Sequence, residues 1–252
     1  MVTRPAHQAQ HLCDLIERHG GHAIRFPVLA IAPKTDSEFL QRIQHLTDYH
    51  MALFISPNAV NHAIPAINAH GGFPPQLRIG AVGKATAAAL AERHCPVHIV
   101  PADRFDSESL LAMPELSDVH NKNIIIFRGE GGREHLAEVL RQRGAQVHYG
   151  ECYQRRKPDS DVQILLDQWA QHALDIIIIS SVEGLTNLID LVGEKARVTL
   201  LRTPLLVVSE RMAQQARQLG FTSTIIIAAK ASDQVILETL AHWAQQQQKG
   251  LL

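Results

Sequence analysis

The chain has 252 residues, enough for two domains of about 100 to 150 residues each, and with 46% hydrophobic and 19% charged residues its composition is that of an ordinary globular protein. A formal net charge of −1 and a pI near 7.0 remove any global electrostatic case for nucleic acid or an anionic membrane surface, so anion binding has to be local. Cys13, Cys95 and Cys152 are far apart, odd in number and outside CxxC spacing, which argues against a disulfide framework or a zinc site and for a reducing, cytoplasmic setting.

From the N-terminus, VTRP reads as a strand that begins within two residues of Met1, leaving no room for a secretory leader. A helix follows, with Leu12, Leu15 and Ile16 spaced i, i+3, i+4 and Gly20 as its C-terminal cap. FPVLAIAPK, from Phe26, is extended because Pro27 and Pro33 exclude a helix interior. Short continuous apolar runs then recur: Ala52 to Ile55, Ile79 to Val82, Val97 to Val100, Ile124 to Phe127, Ile176 to Ile179, Leu205 to Val208 and Ile225 to Ile227. Runs without alternation are strands buried on both faces, and none approaches the roughly 20 residues of a membrane-spanning helix. Helical patterns follow the runs; the one after Arg128 carries Leu136, Val139 and Leu140 and stops at Gly144. YGECYQRRK, from Tyr149, is a second extended stretch closed by Pro158, and the C-terminal HWAQQQQKGLL is a helix that frays into a disordered end. Strand and helix in alternation specify a parallel sheet covered on both faces, an α/β fold.

The order of segments occurs twice. Arg4 and Arg128, and likewise Gly20 and Gly144, lie 124 positions apart. ALFISPNAV returns as IIIISSVEGL, IGAVGKATAAAL as LVVSERMAQQA, and the segment around Ser107 as that around Ser232. A period this long means two copies of a domain-sized unit, with a ligand site expected between them.

Ser56, Lys84, Thr86, Arg128, Gly129, Ser180, Ser181, Ser209 and Arg211 all occupy strand-to-helix turns, where open α/β sheets form their ligand crevice. Small polar residues in such turns also serve as helix caps. Clustered with Arg4, Lys84, Arg128, Arg133 and Arg211, they read as an anion site, since helix N-termini offer free N–H groups and arginine a bidentate fork. Known phosphate motifs fail: Arg78 and Ala85 break a Walker loop in IGAVGKAT, and Glu134 stands where GxGxxG needs glycine in RGEGGRE. His7 and His11 lack a third ligand and read as surface residues, and nothing marks a hydrolase triad or a nucleophile elbow. Tyr153, among Glu151, Arg155 and Arg156, reads either as a cleft residue or as an apolar plug.

MVTRP, ISPNAV, AVGKATAAAL, FDSESLL, RGEGGREHLAEVLRQRGAQVHYGECYQR, SSVEGL, VVSERMAQQARQLGF and ASDQVIL, in this order from about Val2 to Leu240, resemble the uroporphyrinogen-III synthase family. The resemblance implies two flavodoxin-like domains joined by a two-stranded ladder: residues 1–25 with 158–252, and residues 36–148, with 26–35 and 149–157 as linkers. It implies a lyase of tetrapyrrole and haem biosynthesis that uses no cofactor and no metal. Such an enzyme cyclises hydroxymethylbilane to uroporphyrinogen III with inversion of ring D and loss of water. It further implies Tyr153 as a general acid and Ser56, Asn58, Lys84, Thr86, Ser180 and Ser181 as positions lining the site. Arg4, Arg128 with Gly129, and Arg211 are added as carboxylate partners; Met212 stands where relatives carry the Thr that Thr86 represents, which leaves Ser209 as the nearest hydroxyl. A cytoplasmic monomer is expected, with transient contact to the upstream bilane-making enzyme and with no nucleic acid or membrane partner. The alternative from another class is a non-enzymatic two-domain protein that clamps an anionic small molecule.

Overall fold

A computed structural model describes residues 1–102 and 104–250 of the chain. The chain divides into two compact units: Met1–Ala30 together with the chain from Arg156 onward, and Ile31–Arg155. Residues 31–35 of the first expected linker and residues 149–155 of the second therefore belong to the second unit. Residues 31–33 lie in strand β1 (Ala30–Pro33), and residues 149–156 lie within β5 (Gln146–Arg156), an 11-residue strand that is part of a sheet.

The second unit's sheet has the order β1-β5-β4-β2-β3, where β2 is Met51–Phe54, β3 Arg78–Ala81 and β4 Asn123–Gly129. The β2–β3, β2–β4 and β4–β5 pairs are parallel. Both faces are covered, as the unbroken apolar runs require. Ile125 and Phe127 of β4 point to one core with Phe54, Ile64 and Leu90, while Ile124 and Ile126 point to the other with Leu110, Leu136 and Leu140. The run Val97 to Val100 departs from expectation: it contributes an isolated bridge, Ile99 to Gly80, instead of a strand. Pro96 and Pro101 flank it and have no N–H to extend a ladder.

The first unit has a parallel sheet of β6 (Ile177–Ile179), β7 (Leu205–Val207) and β8 (Ile225–Ile227). The N-terminal segment extends it, because Val2 bridges both Ile178 and Arg25 in parallel. Met1 O accepts from Ile178 N, and Thr3 Oγ1 donates to Ile178 O at 2.6 Å. Read by their place in the repeat, both units run in the 2-1-3-4-5 flavodoxin order: Arg25, Val2, β6, β7, β8 in one, and β5, β4, β2, β3, Ile99 in the other. The helices α1 (Ala6–Arg18) and α6 (His135–Gln142) occupy equivalent places and end alike. Gly20 (φ 81°) and Gly144 (φ 87°) hold the left-handed turn in which Gly21 N bonds Ile16 O and Ala145 N bonds Leu140 O. The expected C-terminal helix is the later part of α10 (Asp233–Gly250); the fraying expected at 251–252 falls outside the described residues.

Candidate active site

The topological switch point of the second unit lies between β4 and β2, and at their carboxyl ends opens a pocket of about 460 Å³. Ser56, Phe105, Arg128, Gly129, Tyr149 and Tyr153 line it. Ser56 follows β2 and caps α3 (Pro57–Ala69), its Oγ accepting from Ala59 N at 3.0 Å. The same Oγ lies 3.2 Å from the Tyr153 hydroxyl, so capping and site roles coincide in one atom.

Tyr153 owes its position to an irregularity. Along β5 the side chains of Tyr149, Glu151 and Tyr153 would share one face at period 2. Between Arg128↔Glu151 and Gly129↔Tyr153 the register shifts, and Cys152 is the extra residue. Such a bulge turns the chain by one side-chain position, so Cys152 and Tyr153 both join the core on the α3 side while Tyr149 stays on the opposite side. The Tyr153 ring then lies directly against Gly129, where a Cβ would meet its Cε2 at 2.4 Å, and sits 5.7 Å from the His62 ring. Burial pushes the Cys152 thiol up to about 12, which keeps it neutral and unreactive beside the site.

The charged part of the pocket centres on Arg128, which is 3% exposed. Its Nε donates to Gly129 O at 3.2 Å, its Nη1 to Glu134 at 3.0 Å, and its guanidinium stacks 4.3 Å from the Tyr149 ring centroid. The Tyr149 hydroxyl donates to the other carboxylate oxygen of Glu134. Hydrogen bonds from Tyr149 and then Arg128 hold the Glu134 carboxyl below its ordinary value, while burial and the Glu134 contact raise the Tyr149 phenol, so the proton stays on the tyrosine. Glu151 lies 3.8 Å from Arg128 Nε, accepts from Gly131 N at 3.2 Å and pairs with Lys34 at 2.8 Å, the contact that does most to raise the lysine.

Ser56, Arg128, Gly129 and Tyr153 thus meet at one pocket, while the other predicted positions lie elsewhere. Lys84 is exposed, 5.2 Å above the Phe105 ring, and Phe105 in turn packs over Gly83 and lines the pocket. Thr86 is 2% exposed, in the first turn of α4 (Lys84–Ala91) and away from the pocket lining, and Asn58 is half-buried in the first turn of α3. In the first unit Ser181 caps α8 (Val182–Leu201) through Gly184 N at 3.0 Å, with Ser180 beside it, and Ser209 caps α9 (Glu210–Gln218) through Met212 N at 3.3 Å; Arg211 is exposed. Arg4, the counterpart of Arg128, is bound by Asp233 and by Ala231 O at 2.9 Å. Tyr149, Glu134 and Glu151 complete the Arg128 cluster and were not singled out from the sequence; the period-2 spacing of Tyr149 and Glu151 on an extended stretch was the available signal. Among the described residues no cluster of metal-ligating side chains occurs and no helix is long and apolar enough to cross a membrane.

The fold is that of a two-unit α/β protein of the flavodoxin-like kind. A family profile described as Uroporphyrinogen-III synthase HemD matches residues 10–237. The uroporphyrinogen-III synthase of Salmonella typhimurium is 34% identical over 95% of this chain and 98% of its own, and that of Escherichia coli is 32% identical over the same shares. A crystal structure of a mutant uroporphyrinogen III synthase from Thermus thermophilus shares the fold, with a TM-score of 0.59 at 19% identity over 98% of each chain. One from Helicobacter pylori does so at 0.58 and 15% identity, over 87% of this chain and 92% of the other. The chain belongs to the uroporphyrinogen-III synthase family.

Proposed function

We propose that this chain closes hydroxymethylbilane to uroporphyrinogen III and that the pocket of the second unit carries the chemistry. The reading rests on one observation: in a chain matched to the family along nearly its whole length, Tyr153 sits at the switch point with its hydroxyl beside Ser56 and Arg128 in the same pocket. Tyr153 gives its proton to the departing hydroxyl of ring A, water leaves, and an electron-poor azafulvene remains. Ring D attacks the ring A methylene through its substituted carbon, and the bond from that carbon to the ring C methylene breaks. Ring D's other α-carbon then closes on the freed methylene and loses its proton, which restores Tyr153 and leaves ring D inverted.

The bilane closes by itself to the unturned isomer, so the protein supplies geometry more than barrier lowering. Its eight carboxylates need cations and N–H groups to hold the rings. Arg128, the amides after Ser56 and Gly129, and the exposed Lys84 and Arg211 are of the right chemistry, with Asn58, Ser180, Ser181 and Ser209 as further polar contacts, while the buried Thr86 serves the packing of α4 in this reading. Arg4, already paired with Asp233, serves the fold of the first unit in this reading. Unpaired Cys13, Cys95 and Cys152 support a reducing, cytoplasmic location, and the chain is read as a monomer that meets the upstream bilane-making enzyme transiently.

Supplying purified protein with fresh hydroxymethylbilane and separating the isomers by chromatography tests the reading. Type III product formed faster than spontaneous closure is expected. Type I alone at the spontaneous rate would refute it, and tight retention of the bilane without conversion would identify a binding protein instead.

A further inference from the structure

Arg128 is nearly inaccessible, yet the carboxylate that neutralises it is not. The Arg128 side chain is 3% exposed and that of Glu134 is 46% exposed. The cation is fixed independently of this partner, by Gly129 O, by the Tyr149 ring and by Glu151. Glu134 follows Gly131 (φ 68°) and Gly132 (φ 115°), and although it stands at the N-cap of α6 its side chain makes no cap hydrogen bond. It turns instead to Arg128 Nη1 and the Tyr149 hydroxyl, which together form a two-donor seat; Arg128 and Tyr149 themselves line the pocket, and Glu134 lies at its margin outside the lining.

We infer that Glu134 is a displaceable occupant of this seat, and that a carboxylate of the bound substrate takes its place; the inference rests on the reading above. The physical asymmetry favours exchange. Without Glu134 the buried guanidinium would keep only Glu151, 3.8 Å from Nε, and its Nη1 donor would be left unpaired, so the seat is not left empty. The half-exposed Glu134 carboxylate regains water when it leaves, and an incoming carboxylate takes over the same donors, so the exchange leaves no buried donor unpaired. A planar guanidinium edge plus one hydroxyl donor matches a carboxylate in shape and in donor count. Glu134 thus keeps Arg128 aligned before substrate arrives, and it sets a threshold that an incoming carboxylate has to overcome. It acts as a positioning and specificity residue, with no part in bond making.

The test uses the full chain and sodium propionate as the probe, with sodium chloride at equal ionic strength as the control. Side-chain NMR follows the Arg128 Nε–H and the Glu134 carboxyl carbon. Propionate is expected to shift both in the wild type, carrying the Glu134 carbon to the value of a free carboxylate, while chloride leaves both in place. Removing the internal competitor in Glu134→Gln and Glu134→Ala is expected to tighten propionate binding about fivefold or more. A Glu134 carbon that stays fixed at saturating propionate, or an affinity that is unchanged or weaker in variants with folded spectra, would overturn the inference. The isomer assay separates the two levels: type III product with a fixed Glu134 removes only the displacement, whereas a mobile Glu134 without type III product removes the activity.

Discussion

The Tyr153 hydroxyl lies 3.2 Å from Ser56 Oγ because Cys152 bulges out of register between β4 and β5. One inserted residue moves the tyrosine from the face that Tyr149 occupies to the face where α3 begins. The helix cap, the bulge and the candidate acid are therefore parts of one arrangement.

Removing the hydroxyl of Ser56 tests that arrangement from the other side. Ser56→Ala removes the α3 cap and is expected to cost about 1 kcal/mol of stability, as caps of this type do. It also frees the Tyr153 hydroxyl, so turnover should fall while the far-UV dichroism is kept. A stability unchanged in urea denaturation would mean that the α3 N-terminus does not rely on this serine.

Gly129 is the floor on which the Tyr153 ring rests. In Gly129→Ala the new Cβ would lie 2.4 Å from Tyr153 Cε2, so the ring must move. The expected cost is about 1 to 3 kcal/mol, the usual range for overpacking, together with a loss of turnover larger than the loss of substrate affinity. Wild-type stability and kinetics in this variant would contradict the close packing.

The acid limb of stability should carry the mark of Glu134. Its folded-state value is depressed below the ordinary 4.5 by hydrogen bonds from Tyr149 and Arg128. A depressed carboxyl stabilises the fold above its unfolded value and loses that contribution as pH falls through the folded value. Melting temperatures of wild type and Glu134→Gln should therefore differ at neutral pH and converge below about pH 4.5. A gap that widens toward acid would give the opposite sign and rule out this linkage.

Arg4 and Arg128 occupy equivalent places in the repeat but have different partners. Arg4 is 12% exposed and bound to Asp233 at the start of α10, so Asp233→Asn should lower stability by about 1.5 to 3 kcal/mol, the range for a charged hydrogen bond. The urea midpoint reads this directly. No shift in that midpoint would leave Arg4 available for a ligand.

The strands were legible wherever an apolar run was buried on both faces, as at Ile124 to Phe127 and Ile176 to Ile179. The run at Val97 to Val100 misled because prolines on both sides limit its pairing to one bridge. The turn holding Ser56 was legible from its place after a strand, whereas Arg128 and Gly129, read as part of another such turn, are the last two residues of β4 and pair with β5. The Arg128 cluster was not, since it depends on the register of β4 against β5 and on the bulge at Cys152, and no local pattern encodes either. Nor could the sequence tell Arg4 from Arg128: the residue that occupies Arg4 lies 229 positions away.

The most direct measurement is the rate of type III product formation by Tyr153→Phe, with the fold checked by near-UV dichroism and the melting temperature. General-acid assistance to the departing hydroxyl predicts a fall of about 10²-fold or more with little change in KM. A rate within twofold of wild type from a properly folded variant would contradict the role assigned to Tyr153 and to the pocket built around it.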